Sequence, residues 1–158
     1  MARSITDILA SRGTLDLTEA SQILKEAKQN HVSIDDALYR HGMRETDVAE
    51  AKSELTGYPI KYLGGREVPF EILRAIPEDA ARFYKMVTLS KNEGYFDVGM
   101  LIPDDVAAQE ALKFITSRLN LPPRIFIITP SDFEQVLREY KSLSGEVSKA
   151  LGQFEKVS

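Results

Sequence analysis

Apolar residues in the first third of the chain recur at helical spacing, with capping and breaking residues between the runs. Ile5, Ile8 and Leu9 form a short stripe that stops at Gly13. Ala20, Ile23, Leu24 and Ala27 form a longer one, with Asp16 or Thr18 placed to cap its start. Ser33 opens a third helix with Asp36 three residues on, in the manner of a capping box, and Gly42 ends it. Val48, Ala51 and Leu55 mark a fourth from about Thr46 to Thr56, closed by Gly57 with Pro59 beyond. The strings ITDILASRG and IDDALYRHG each begin a short helix, a Gly and a longer helix, which predicts a duplicated helical hairpin. Elements this short bury little alone, so the pairs are expected to pack on one another.

The helical period fades after Gly57. Residues 58–68, with Gly64-Gly65 at their centre, read as a hinge between a helical half and an α/β half. Pro77 suits a first helical turn, where its missing N–H costs nothing. Val87 and Leu89, then Phe96 and Val98, alternate with polar neighbours and predict a half-buried strand pair. Asn92-Glu93-Gly94 turns it, with Gly94 free to take positive φ. Pro103-Asp104-Asp105 opens a helix with acids at the positive end of its dipole. Arg124 to Ile128, after Pro122-Pro123, predicts a third strand, and Thr129-Pro130-Ser131-Asp132 starts a last helix with Ser131 as N-cap. The expected core of this half is Phe70, Ile72, Leu73, Phe83, Val87, Leu89, Phe96, Val98, Leu101, Val106, Leu112, Ile115, Ile125, Ile127, Phe133 and Leu137. The predicted architecture is α+β: a helical subdomain of two hairpins over 1–57, the hinge, and an α/β subdomain over 69–143 with about three strands packed on helices. The polar, small-residue tail 144–158 reads as a linker or a frayed terminal helix.

Composition narrows the chemistry. The 158 residues carry a net charge of −4, which disfavours nucleic acid as a partner, because phosphate binding needs a basic face. Without Cys there is no disulfide, no thiolate nucleophile and no cysteine-held metal, in keeping with a reducing compartment. No apolar run approaches the roughly 18 residues of a membrane span, and the N-terminus lacks a secretory apolar region. A cytoplasmic protein without direct membrane insertion is expected.

Two ordered blocks carry a resemblance. The first is Ile76, Pro77, Glu78, Ala81 and Arg82, in the pattern IPE-x-x-A-R. The second is Val98, Met100, Pro103 and Asp105, in the pattern V-x-M-x-x-P-x-D. In that order they resemble the N-terminal domain of type II secretion and type IV pilus assembly ATPases (the general secretory pathway protein E N-terminal domain). The likeness runs from about Ile5 to Tyr140 and is strongest from Pro69. It implies a non-catalytic adaptor that docks on a cytoplasmic part of an inner-membrane platform protein. Such a module lies peripheral to that membrane through its partners, and works with a motor domain of the same protein if one follows downstream. Mechanical coupling is implied, with the hinge letting one half hold the partner while the other follows the motor. Exposed Lys25, Lys28, Arg40 and Arg44 are candidate docking positions.

Catalytic chemistry finds no foothold in the sequence. Neither G-x-x-x-x-G-K-[ST] nor G-x-G-x-x-G is present, so a nucleotide has no phosphate cradle, and G-x-S-x-G is missing as well. No cofactor is expected. His31 and His41 stand apart near helix ends, short of a metal-ligand set, and His41 is expected to meet the terminal carbonyls of its helix. The pairs Asp35-Asp36, Glu78-Asp79 and Asp104-Asp105 all stand at helix starts, where dipole compensation accounts for them. Lys61 and Arg66 flank the hinge glycines and offer either a phosphate loop or a solvated surface. The last helix, with Phe133, Val136, Leu137 and Tyr140, is expected in the core, or else filling a partner's groove.

One alternative stays open. Some members of the family bind cyclic di-GMP through a repeated R-L-G-x-x-L-[VI]-x-x-G. Aligned on Gly13, this chain has Ser4, Ile5 and Thr6 and then Leu9 and Ala10; aligned on Gly42, it has Ser33, Ile34 and Asp35 and then Leu38 and Tyr39. Leu9, Ala10, Gly13, Leu38, Tyr39 and Gly42 are thus what remains of such a motif, with its Arg replaced twice. Arg3 and Arg40 are displaced substitutes, and Asp35 repels phosphate.

Overall fold

Ser4 and Ser33 start the two short helices in the same way. In α1 (Ile5–Ser11), Ser4 Oγ accepts from Asp7 N–H at 3.2 Å while Ser4 N–H donates to Asp7 Oδ2 at 3.0 Å, a complete capping box. In α3 (Ile34–Arg40), 29 residues on, Ser33 Oγ accepts from Asp36 N–H at 3.1 Å. The ends match too. Thr14 N–H donates to Leu9 O and Met43 N–H to Leu38 O, both at 3.1 Å, across Gly13 and Gly42 at φ 74° and 84°. Each short helix is followed by a long one, α2 (Leu17–Asn30) and α4 (Glu45–Thr56). The duplicated hairpin is therefore present down to its terminal hydrogen bonds. In this computed structural model, residues 4–141 are described, so the expectations for 144–158 and for Arg3 lie outside the described residues.

Two compact units divide the chain between Ile60 and Lys61. The core of the first is Ile5, Ile8, Leu9, Leu15, Ala20, Ile23, Ala27, Ala37, Leu38, Val48 and Ala51. Leu24 and Leu55, expected inside, are 41% and 40% exposed. The reason is length: α1 and α3 are about 10 Å long and leave parts of the longer α2 and α4 uncovered.

The second unit comprises α5 (Phe70–Leu73), α6 (Glu78–Tyr84), β1 (Met86–Lys91), β2 (Phe96–Met100), α7 (Val106–Ser117), β3 (Pro123–Ile127) and a last helix α8 over 130–141. The sheet order is β1-β2-β3, with β1 antiparallel and β3 parallel to β2. Asp105 caps α7 by accepting from Ala107 N–H at 3.0 Å. Thr129, rather than Ser131, caps α8: its Oγ1 accepts from Asp132 N–H at 3.3 Å, which leaves Pro130 at the first helical position. The hairpin closes with Asn92 N–H on Tyr95 O at 2.8 Å. Gly94 is not at positive φ, because this four-residue connection needs no left-handed residue there.

The strands are not half-buried as the alternation predicted. Every residue of β2 is buried, and so are Met86 to Leu89 of β1. The polar members have internal partners, as when Thr88 Oγ1 donates to Ile72 O at 2.6 Å. Gly99 permits a close approach of another kind: a Cβ there would lie 2.5 Å from Ile128 Cγ2. Gly99→Ala is therefore expected to cost about 1–3 kcal/mol in urea unfolding, with Gly99→Ala/Ile128→Ala losing less than the sum of the single changes.

Phe70, Phe83 and Val106, also expected inside, are 48%, 77% and 65% exposed. Each neighbours the residue that faces inward instead, namely Leu73 in α5, Ala81 in α6 and the Ala108–Leu112–Thr116 stripe in α7. Ile72, Leu101, Ile115 and Ile125 pack half-buried at the rim. Tyr140 belongs to this core, and its hydroxyl donates to Ile76 O at 2.6 Å and Leu73 O at 3.0 Å.

The segment read as a hinge is fastened from Lys61 onward. Lys61 N–H donates to Ile127 O at 3.0 Å, Leu63 N–H to Asp132 Oδ2 at 3.0 Å, and Val68 N–H to Glu139 Oε2 at 3.1 Å. Leu63 and Val68 are buried in the second core, so Gly64-Gly65 lies inside that unit rather than at its boundary.

Candidate functional site

The residues left of a nucleotide motif lie at the duplicated ends of α1 and α3. Leu9 and Leu38 are wholly buried, holding their helices to the core rather than facing a ligand. Ala10 and Tyr39 are half-buried, and Gly13 and Gly42 supply the left-handed turns. Where an Arg would stand, Ser4 and Ser33 are N-caps. Of the two displaced substitutes, Arg40 is exposed and Arg3 lies outside the described residues. Asp35 pairs with Lys52, and Arg12 is drawn to Glu54 at 2.9 Å and Glu50 at 3.5 Å. Burial and then the charges of Asp35, Glu45 and Asp36 push the Tyr39 phenol well above its ordinary range, so it stays protonated in an acidic setting that opposes phosphate.

Arg40 and Arg44 are exposed, as are Lys25 and Lys28. His41 does not serve its helix end through its ring. Its backbone N–H reaches Ala37 O, while Nε2 lies 2.9 Å from Glu26 Oε2. Among the described residues no three of His, Asp and Glu come together as a metal would require.

An open groove of about 660 Å³ adjoins the first repeat, between the end of α1 and the start of α2. Leu15 is buried within it, Leu17 is 77% exposed at its edge, and Asp7 and Asp16 are acids of its wall. Sequence pattern alone missed it. The one available signal was a Leu standing directly after the N-cap Asp16, outside the apolar stripe of α2.

The second unit holds the densest polar cluster. Asp97, 1% exposed, accepts from Arg124 Nε at 2.9 Å and Nη2 at 3.2 Å, Ser90 Oγ at 2.9 Å, Asn92 Nδ2 at 3.0 Å and Lys61 Nζ at 3.2 Å. Burial pushes its pKa up, but the hydrogen bonds from Arg124, Ser90 and Lys61, with the Lys61 charge, outweigh that and leave it lowered. Arg124 and Lys61 also lie over the Phe126 ring at 5.3 and 5.2 Å. Both cations are engaged by Asp97 while staying partly exposed. Lys61 is thus paired with a carboxylate, and Arg66 is turned to the carbonyls of Leu63 and Tyr62 at 3.0 and 3.2 Å. The acid pairs likewise serve helix starts, with Asp35 and Asp36 in the first turn of α3 and Glu78 and Asp79 in that of α6.

The residues behind the resemblance build the fold. Ile76, Ala81, Val98, Met100 and Pro103 are buried, Glu78 and Arg82 pair at 3.1 Å, and Asp105 is a cap.

A helical unit of duplicated hairpins, followed by a small three-stranded unit, is the fold of secretion-ATPase N-terminal domains. The structure of MshE with cdg matches at 20% identity and TM-score 0.73, covering 87% of this chain and 99% of that one. The N-terminal domain of XpsE in one crystal form matches at 20% identity and TM-score 0.66, over 85% of this chain and 91% of that one. The family model described as the MshEN domain matches residues 56–147, more than half of the sequence. The chain belongs to the MshEN domain family, the N-terminal regulatory domain of type II secretion and type IV pilus ATPases, which lies apart from the ATPase motor. None of the curated proteins matches it in sequence.

Proposed function

We propose that this module docks on a cytoplasmic part of an inner-membrane secretion or pilus platform protein, gripping it through the helical unit. The chain would then work in the cytoplasm, peripheral to the membrane through its partner. Among the described residues no helix is long and apolar enough to cross a membrane. The observation that carries the reading is a division of labour within the helical unit. Its motif positions serve caps and core, and Asp35 and Arg12 are held in internal pairs, while Leu17, Leu24, Ile34 and Leu55 face outward. Coupling to a motor would act through the joint at the Ile60–Lys61 boundary, not through Gly64-Gly65.

A second reading, cyclic di-GMP binding, draws on the fold shared with MshE and on the preserved helix ends at Gly13 and Gly42. Against it stand the capping Ser4 and Ser33 and the acids around Tyr39. Two measurements separate the readings. The immobilised full chain is expected to retain the soluble domain of the platform protein, and calorimetry at micromolar protein is expected to show no heat with cyclic di-GMP. Heat at unit stoichiometry, with no platform protein retained, would reverse the ranking.

A further inference from the structure

The two copies of the helical repeat share a backbone but differ at one place. Gly13 and Gly42 turn identically, with the same hydrogen bonds on either side. At 29 residues' separation, however, Ala10 and Ser11 of the first copy correspond to Tyr39 and Arg40 of the second; one residue is lost after the turn, so the caps Asp16 and Arg44 match and Leu17 corresponds to Glu45. The groove at the first copy thus owes its apolar character to side chains, not to the fold that both copies share. A small residue stands where the second copy has a phenol, and Leu17 stands where it has Glu45. Gly13 leaves its part of the surface open, since nothing lies within 4 Å of a Cβ there.

The surroundings are acidic. Asp16 caps α2 by accepting from Glu19 N–H at 2.7 Å, and neither Asp16 nor Glu19 forms an ion pair among the described residues. Glu19 is held above its ordinary pKa by its side-chain hydrogen bond to Asp16 and then by the Asp16 charge, while the Glu19 N–H and that same bond hold Asp16 below its own. A cation beside these two acids is favoured, and an anion is opposed.

We infer that this groove receives a basic amphipathic helix of the partner protein, its apolar side chains resting on Leu15 and Leu17 and its Lys or Arg side chains reaching Asp16 and Glu19. The proposal rests on the docking reading and names the chemistry of the partner. Leucine contact supplies the anchor and the acids supply orientation and rate, so binding weakens with salt.

The test uses the full chain and two labelled synthetic helices of one length, a Leu/Lys heptad peptide and its Leu/Glu counterpart, followed by fluorescence anisotropy. The Leu/Lys peptide is expected to bind and the Leu/Glu peptide not. Leu17→Ser is expected to weaken binding at least tenfold, and Asp16→Asn, which keeps a capping side chain, several-fold at low salt. Leu119→Ser, an equal change in the second unit outside the groove, is expected to bind as wild type. Both leucines are exposed, so unchanged helical circular dichroism separates loss of contact from loss of fold. Equal binding of both peptides, or wild-type binding by Leu17→Ser, overturns the proposal. So does displacement of the peptide by cyclic di-GMP. If Leu17→Ser still retains the platform protein as wild type does, the groove is refuted while the docking reading stands. If wild type retains none, the docking reading fails, and the peptide comparison still judges the groove.

Discussion

Asp97→Ala is expected to lower the melting temperature of the α/β unit by about 15 °C, a loss of about 3 kcal/mol. The carboxylate is 1% exposed and takes hydrogen bonds from Arg124, Ser90, Asn92 and Lys61. Removing it leaves two cations facing each other and the Ser90 and Asn92 donors without their acceptor. Arg124 is 51% exposed and Lys61 31%, so water can reach both, which keeps the figure at the low end for a broken buried pair. The pH dependence has a definite sign. The folded pKa lies below the ordinary 3.8, so Asp97 stabilises the fold fully at neutral pH. That contribution fades as pH falls below about 5 and is gone once the folded carboxyl protonates. Urea midpoints at pH 7 and pH 3 check it: the wild type should lose more between them than Asp97→Ala. A variant that melts with the wild type at pH 7 would show the cluster to be surface decoration.

Leu9→Ala and Leu38→Ala are each expected to cost the helical unit about 3 kcal/mol, within the range of about 2–5 for deleting a buried leucine side chain. Both side chains are fully buried, at equivalent places in the two copies. A unit of this size has little stability in reserve. Either change should therefore bring substantial unfolding of 4–60 by hydrogen exchange while the α/β unit keeps its protection. A ligand-contact role predicts the opposite pattern, with intact stability and altered binding. Variants that exchange like wild type would return these leucines to a binding motif.

The sequence determined what is decided within about five residues. Ser33 as a cap, Gly13, Gly42 and Gly57 as helix ends, the third strand and the duplicated hairpin are all local. Each depends on a hydrogen bond or backbone preference that a short stretch contains by itself. The two family blocks were legible for the same reason, since their residues are caps, turns and inward-facing positions at fixed spacing.

Only the tertiary structure decided what faces what. An apolar period shows that a helix has a buried side but not how far its partner extends, so Leu24, Leu55, Phe83 and Val106 stand outside it. Polar partners lie far off in sequence. Lys61 meets Asp97 across 36 residues and Leu63 meets Asp132 across 69, and those contacts attach the segment from Lys61 onward to the second unit. Asp97 itself reads as a solvent-facing strand residue, because alternation cannot show that four donors converge on it from other strands and turns. The groove is hidden for a related reason: it is lined by side chains from the end of one helix, the turn and the start of the next, which no single apolar stripe marks.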